Sequence, residues 1–158
     1  MVAMGLILSN ALTVSDAKKL IYQSYIYNQA NNWTSAIDKM KAAVAGSSLS
    51  DDKLELVEAQ YAYIGYCMSK ELKSNAASYI SKAQKLCKEV LRAEPKNARA
   101  NALYGALLAM EIGQNPAKSI YLGPRSSSYI DKSKTYDANE PVVRVEQGNF
   151  RFHAPALF

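Results

Sequence analysis

The chain has 158 residues, enough for one domain with a real core, since a chain of this size buries roughly 70% of the surface it exposes when unfolded. Apolar residues make up 49% and charged residues 21%, and 7 Gly with 5 Pro are too few for a turn-rich β protein, so helices are favoured. A net charge of +5 and a pI near 9.1 tolerate acidic partners but fall short of a nucleic-acid signature by themselves.

Residues 2–8 form an apolar run, VAMGLIL, followed by the small residues Ser9, Asn10 and Ala11 that suit a signal peptidase. The run is too short to span a bilayer, and no Lys or Arg precedes it. Residues 1–11 are therefore expected to be the remnant of a signal peptide whose start lies upstream. The alternative is an apolar helical turn packed on the first repeat. The first reading places the folded part, residues 12–158, in the periplasm or outside the cell; the second leaves it cytoplasmic.

Ser15 is a plausible N-cap for the first helix, with Asp16 in the first turn to meet the helix dipole. Leu20, Ser24 and Tyr27 share one face of that helix. Asn31-Asn32 predict a break, after which Trp33, Ala36, Ile37, Met40, Ala43 and Val44 make a second amphipathic stripe. Ser50-Asp51-Asp52 open a third helix containing Tyr61-x2-Ile64-Gly65-x2-Met68. A fourth carries Ala83-x3-Cys87-x2-Val90 and closes on Glu94-Pro95.

Asn97 caps a fifth helix, Asn101-x2-Tyr104-Gly105-x2-Leu108, and Pro116 occupies the first position of the next segment. Gly123-Pro124 predict an interruption there, with Ser126 to Ser128 capping a new helix that holds Ser126-x3-Ile130-x2-Ser133. Asp137-Ala138-Asn139 close it. Pro141 then starts a last helix, Arg144-x2-Gln147-Gly148-x2-Arg151.

These segments repeat. Ala83 to Gly105 is 22 residues and Ser126 to Gly148 is again 22. Variation falls inside the hairpins, where Ser24 to Ala36 is 12, Gly65 to Ala83 is 18 and Gly105 to Ser126 is 21. Insertions confined to turns are what a stacked array absorbs. The units resemble tetratricopeptide (TPR) repeats, in which a large residue, a Leu-Gly-like pair and a Tyr precede Ala-x3-Phe and a Pro at fixed spacings.

The resemblance covers about residues 15–155. It implies an all-α, right-handed TPR-like α-solenoid of antiparallel helical hairpins, about three hairpins plus one extra helix. Ser24, Gly65 and Gly105, with Ala36 and Ala83 from the other side, would let paired helices approach closely. Asn101, Arg144, Gln147 and Arg151 depart from the pattern by putting polar groups on packing faces. The chain ends at Phe158, after the first helix of a fourth hairpin, and is expected to be truncated at its C-terminus. The chain is also similar to bacterial cell-envelope or secreted TPR-like proteins. These carry a Gly-Pro-basic segment like Gly123-Pro124-Arg125 and an aromatic-rich stretch like Phe150-Arg151-Phe152-His153-Ala154-Pro155.

Catalysis finds little support. The single histidine, His153, stands far from Cys67 and Cys87, so neither a triad nor a metal site is expected, and no cofactor motif is present. The two cysteines are expected to be reduced core thiols. Lys85, Lys88 and Arg92 share a helical face that is expected to be convex and solvated, with no aromatic stacking platforms among the charges.

The expected function is therefore a non-enzymatic protein-binding scaffold that presents a concave groove to a peptide or protein segment. In TPR geometry Tyr25, Asn28, Tyr66, Lys70 and Arg99 would line that groove and suit an extended segment carrying an acidic group. Tyr27, Tyr61 and Tyr104 are assigned to packing. Arg125 and Ser126, at the helix start expected after Gly123-Pro124, form a candidate anion site. The alternative function is a basic helical protein associated with nucleic acid.

Overall fold

The computed structural model describes residues 13–27 and 29–153, and these are all-helical. The N-terminal segment 1–11, expected to be a signal-peptide remnant, lies outside the described residues, as do Asn28, Ala154 and Pro155. The helices are α1 (Val14–Ile26), α2 (Ala30–Val44), α3 (Ser50–Ser69), α4 (Lys73–Ala93), α5 (Ala98–Gln114), α6 (Ser119–Tyr136) and α7 (Pro141–His153), with a 3-10 turn at Pro116–Lys118 before α6. They divide into two compact units, one ending at Ser47 and one beginning at Ser48.

In the first unit α1 packs on α2. The cap of α1 is Thr13, two residues before the expected Ser15. Its hydroxyl accepts from the Asp16 amide at 3.1 Å, while the Asp16 carboxylate takes the Thr13 N–H, which closes a capping box. Asn31 and Asn32 do not form the expected break; they lie in the first turn of α2, since the amides of Asn32 and Trp33 already bond to the Gln29 carbonyl. Trp33, Ala36, Ile37, Met40 and Val44 are buried at helical spacing, as expected. Tyr27 was expected in the core but is 68% exposed, because α1 stops at Ile26 and leaves it on the C-cap.

In the second unit α3 packs on α4, α4 on α5, α5 on α6, and α7 on both α5 and α6. The turn between α3 and α4 is a Schellman motif. The Leu72 amide bonds to the Cys67 carbonyl and the Glu71 amide to that of Met68, with Glu71 in the left-handed region at φ 55°. Asn97 caps α5 as expected, accepting from the Ala100 amide at 2.9 Å. From Ala100 to Leu108 every residue of α5 is buried, which makes it the central helix of the unit. Asn101 is tolerated there because its amide nitrogen donates to the carbonyls of Asn97 (2.8 Å) and Pro95 (3.1 Å).

Gly105 supports the close approach expected of it. A Cβ there would lie 3.0 Å from Ile130 and 3.1 Å from the Ser126 carbonyl oxygen. Gly65 does not: nothing lies within 4 Å of such a Cβ. On α7 the expected register is displaced by one position. Val143 packs on Ala98 and Ala102, and Glu146 is buried, whereas Arg144 and Arg151 are exposed. Arg144 turns back along the loop to the Asn139 side chain at 2.7 Å, so its charge stays in solvent. Cys67 and Cys87 are both buried free thiols.

Candidate functional site

The expected groove residues fall in both units. Tyr25 is 64% exposed on α1, with its ring edge-on to Trp33 at 5.6 Å. On α3, Asp51, Glu55, Glu58, Ala62, Tyr66 and Lys70 succeed one another at spacings of three and four, so they form one stripe. Tyr66 and Lys70 thus belong to the same face as three carboxylates that the sequence reading did not select. Tyr66 stacks on Tyr63 with ring centres 5.9 Å apart, and Lys70 is exposed at the C-cap.

Arg99 reaches this stripe from α5. Its Nε donates to Glu58 at 2.6 Å and its Nη2 to Glu55 at 2.9 Å, with Asp51 at 3.8 Å from Nη1. Burial alone would lower its pKa, but the bonds to Glu58 and Glu55 outweigh burial and raise it, so the guanidinium is permanently charged. Three carboxylates already compensate that charge, so Arg99 organises the face and does not offer a free cation to an acidic group. Lys70 does not converge with it. The twelve residues from Glu58 to Lys70 span about 18 Å of helix at 1.5 Å per residue.

Beside Arg99 opens a cleft of about 560 Å³, lined by Asp51, Glu55, Lys96, Arg99, Tyr136 and Glu140 among others. It gathers the starts of α3, α5 and α7 at the end of α6. Asp51, Glu55, Asp137 and Glu140 outnumber Lys96 and Arg99 on its walls, so its balance is acidic. Further along, α7 contributes Glu146, whose carboxylate accepts from the Tyr61 hydroxyl at 3.0 Å and the Asn149 amide at 3.2 Å. Burial raises the Glu146 pKa, partly offset by those two bonds, and the Glu58 charge raises it further.

The candidate anion site at Arg125 and Ser126 is overturned. No helix begins there; α6 runs unbroken from Ser119 to Tyr136 through Gly123 and Pro124. Pro124 removes a hydrogen bond to the Ile120 carbonyl, but both residues are exposed, so water meets that carbonyl and the helix continues. Ser126 is buried and its hydroxyl donates to the Gly105 carbonyl at 2.7 Å, which makes it a packing residue. Arg125, the preceding residue, is exposed.

The lysine-rich face of α4 also differs from expectation. Lys85, Lys88 and Arg92 are exposed, but aromatic rings do stand among the lysines. Lys82 lies 4.4 Å over Tyr79, Lys88 5.7 Å over Tyr104 and Lys132 5.3 Å over Tyr129. Two of these rings come from α5 and α6, so no window of sequence around Lys88 contains them.

Among the described residues no helix is long and apolar enough to cross a membrane. Comparison with family models, with curated proteins and with solved structures finds no match to this chain.

Proposed function

We propose that the chain is a non-enzymatic TPR-like scaffold that holds an extended peptide or protein segment along the α3 stripe. The supporting observation is the stripe itself: Asp51, Glu55 and Glu58 held by Arg99 at one end, with Tyr66 and Lys70 roughly 20 Å away at the other. The acidic cleft would take a Lys or Arg side chain, Tyr66 would supply a flat aromatic contact, and Lys70 would meet an acidic group further along the segment. Sequential hairpin packing, with α3 and α7 both touching α5, is compatible with the right-handed solenoid order. Residence in the periplasm or outside the cell is part of the same reading.

The test is calorimetric titration of the full chain with two peptides of identical composition. One carries its basic residue and its acidic residue about six extended residues apart; the other has them adjacent. The spaced peptide should bind and the adjacent one should not. Tyr66→Ala with Lys70→Ala should abolish capture and leave the melting temperature within a few degrees of the parent, since a buried contact Tyr contributes about 2 kcal/mol or more of binding. If the double variant unfolds, these residues belong to the core and the binding face lies elsewhere.

A further inference from the structure

The side of the second unit formed by α4 and α6 carries cations and rings in an ordered sequence. Lys88 of α4 sits over Tyr104 of α5; Tyr104 meets Tyr129 of α6 edge-on, with ring centres 4.7 Å apart at 88°; and Lys132 sits over Tyr129. Arg125, Tyr129 and Lys132 follow one another at spacings of four and three, so they share one face of α6. Lys85 and Arg92 extend the basic surface along the exposed side of α4.

These cations are available. Glu89 faces Lys53 of α3 at 4.0 Å, and Glu111, which also feels the charge of Lys88, bonds instead to Lys118 at 2.6 Å and the Gln84 amide at 2.8 Å. Among the described residues Lys85, Lys88, Arg92, Arg125 and Lys132 make no salt bridge. Ring contacts also restrict where the ammonium groups of Lys88 and Lys132 can move, which lowers the entropy lost when an anion is bound.

We propose that this Lys88–Tyr104–Tyr129–Lys132 surface, with Arg125, docks an acidic polypeptide segment whose carboxylates pair with the three flanking cations. Single-stranded nucleic acid would need open ring faces on which bases stack. Tyr104 is 2% exposed, and Tyr129 meets Tyr104 and has Lys132 over its face, so the rings support the lysines and do not form a platform. Recognition by discrete carboxylates is what remains. The surface is separate from the α3 stripe, so a partner here is additional to the proposed groove ligand.

The probe is a fluorescent peptide of alternating Glu and Ser, titrated against the full chain by anisotropy in low and moderate salt. Arg125→Glu with Lys132→Glu should weaken binding by about tenfold or more. The control is Lys39→Glu with Lys41→Glu, an equal charge change on exposed positions of α2, and it should stay near the parent. The peptide should also bind more tightly than an oligothymidylate of equal charge. The proposal is overturned if the parent shows no saturable binding, if the control loses as much affinity as the α6 pair, or if oligothymidylate binds more tightly. Should the charge-reversed variant lose its helical circular dichroism, Arg125→Gln with Lys132→Gln replaces it, with the same ordering required. A surviving response to the spaced peptide described above, with loss of this one, separates the two surfaces.

Discussion

The Tyr61 hydroxyl on α3 donates to the Glu146 carboxylate on α7 at 3.0 Å, and Glu146 is 4% exposed. The bond joins helices 85 residues apart in sequence and lies beside the Arg99 cluster through Glu58. Burial, followed by the neighbouring carboxylate, pushes the Tyr61 phenol well above its ordinary range, so it remains a donor at any physiological pH. Among the described residues no cation bonds to Glu146. Its carboxyl is thus a group whose folded pKa is raised above the unfolded value.

A raised carboxyl contributes stability that is fully present below the ordinary Glu range of about 4.3 and is lost as pH rises through the folded pKa. Glu146→Gln keeps an acceptor for Tyr61 without the buried charge. Melting curves against pH should therefore show the parent losing stability relative to Glu146→Gln on the neutral side, with the two converging toward acid. A parent that gains relative to the variant as pH rises contradicts the assignment.

Gly65 of α3 and Gly105 of α5 should respond differently to Ala. At Gly65 there is open space, so Ala should gain helix propensity and stabilise by about 1 kcal/mol. At Gly105 the new Cβ meets Ile130 and a backbone oxygen of α6, and overpacking of this kind costs about 1–3 kcal/mol. Gly105→Ala should be neutral to destabilising. Urea denaturation measures both; equal stabilisation at the two sites would mean that the α5–α6 approach is looser than 3.0 Å implies.

Glu71 occupies the left-handed position of the Schellman turn, where a side chain costs roughly 1 kcal/mol and glycine costs none. Glu71→Gly should raise the melting temperature by about 2–4 °C in a chain of this size, although glycine usually destabilises. A fall in melting temperature would refute the turn geometry.

Arg99→Ala removes the cation shared by Glu55 and Glu58, which are both half-buried. The loss should be about 1–3 kcal/mol, because two facing carboxylates are left without their partner. Arg99→Lys should recover only part of it, since an ammonium cannot bond to Glu58 and Glu55 as a fork. Chemical denaturation of both variants checks the order. If Lys restores the full stability of the parent, the cluster is held by charge alone and the forked geometry contributes nothing.

Much of the helix frame is legible in the sequence. Asn97 as a cap and Pro141 at a helix start are local events, governed by backbone hydrogen bonds within a few residues. The misplaced signals were local ones overridden by context. Gly123-Pro124 read as a stop, but exposure of that side of α6 lets water satisfy the freed carbonyl. Asn31-Asn32 read as a break, but the loop was already complete at Gln29.

By itself the sequence determined an all-helical chain and the apolar stripe of α2, because helical periodicity and capping act over four residues or fewer. Only the tertiary structure decided which polar residues meet. Glu55 and Glu58 lie 44 and 41 residues from Arg99, Tyr61 lies 85 from Glu146, and Tyr129 lies 25 from Tyr104. Those separations follow from how long helices slide and rotate against one another. That register is set by volumes at contacts such as Gly105 against Ile130, and no single helix encodes it.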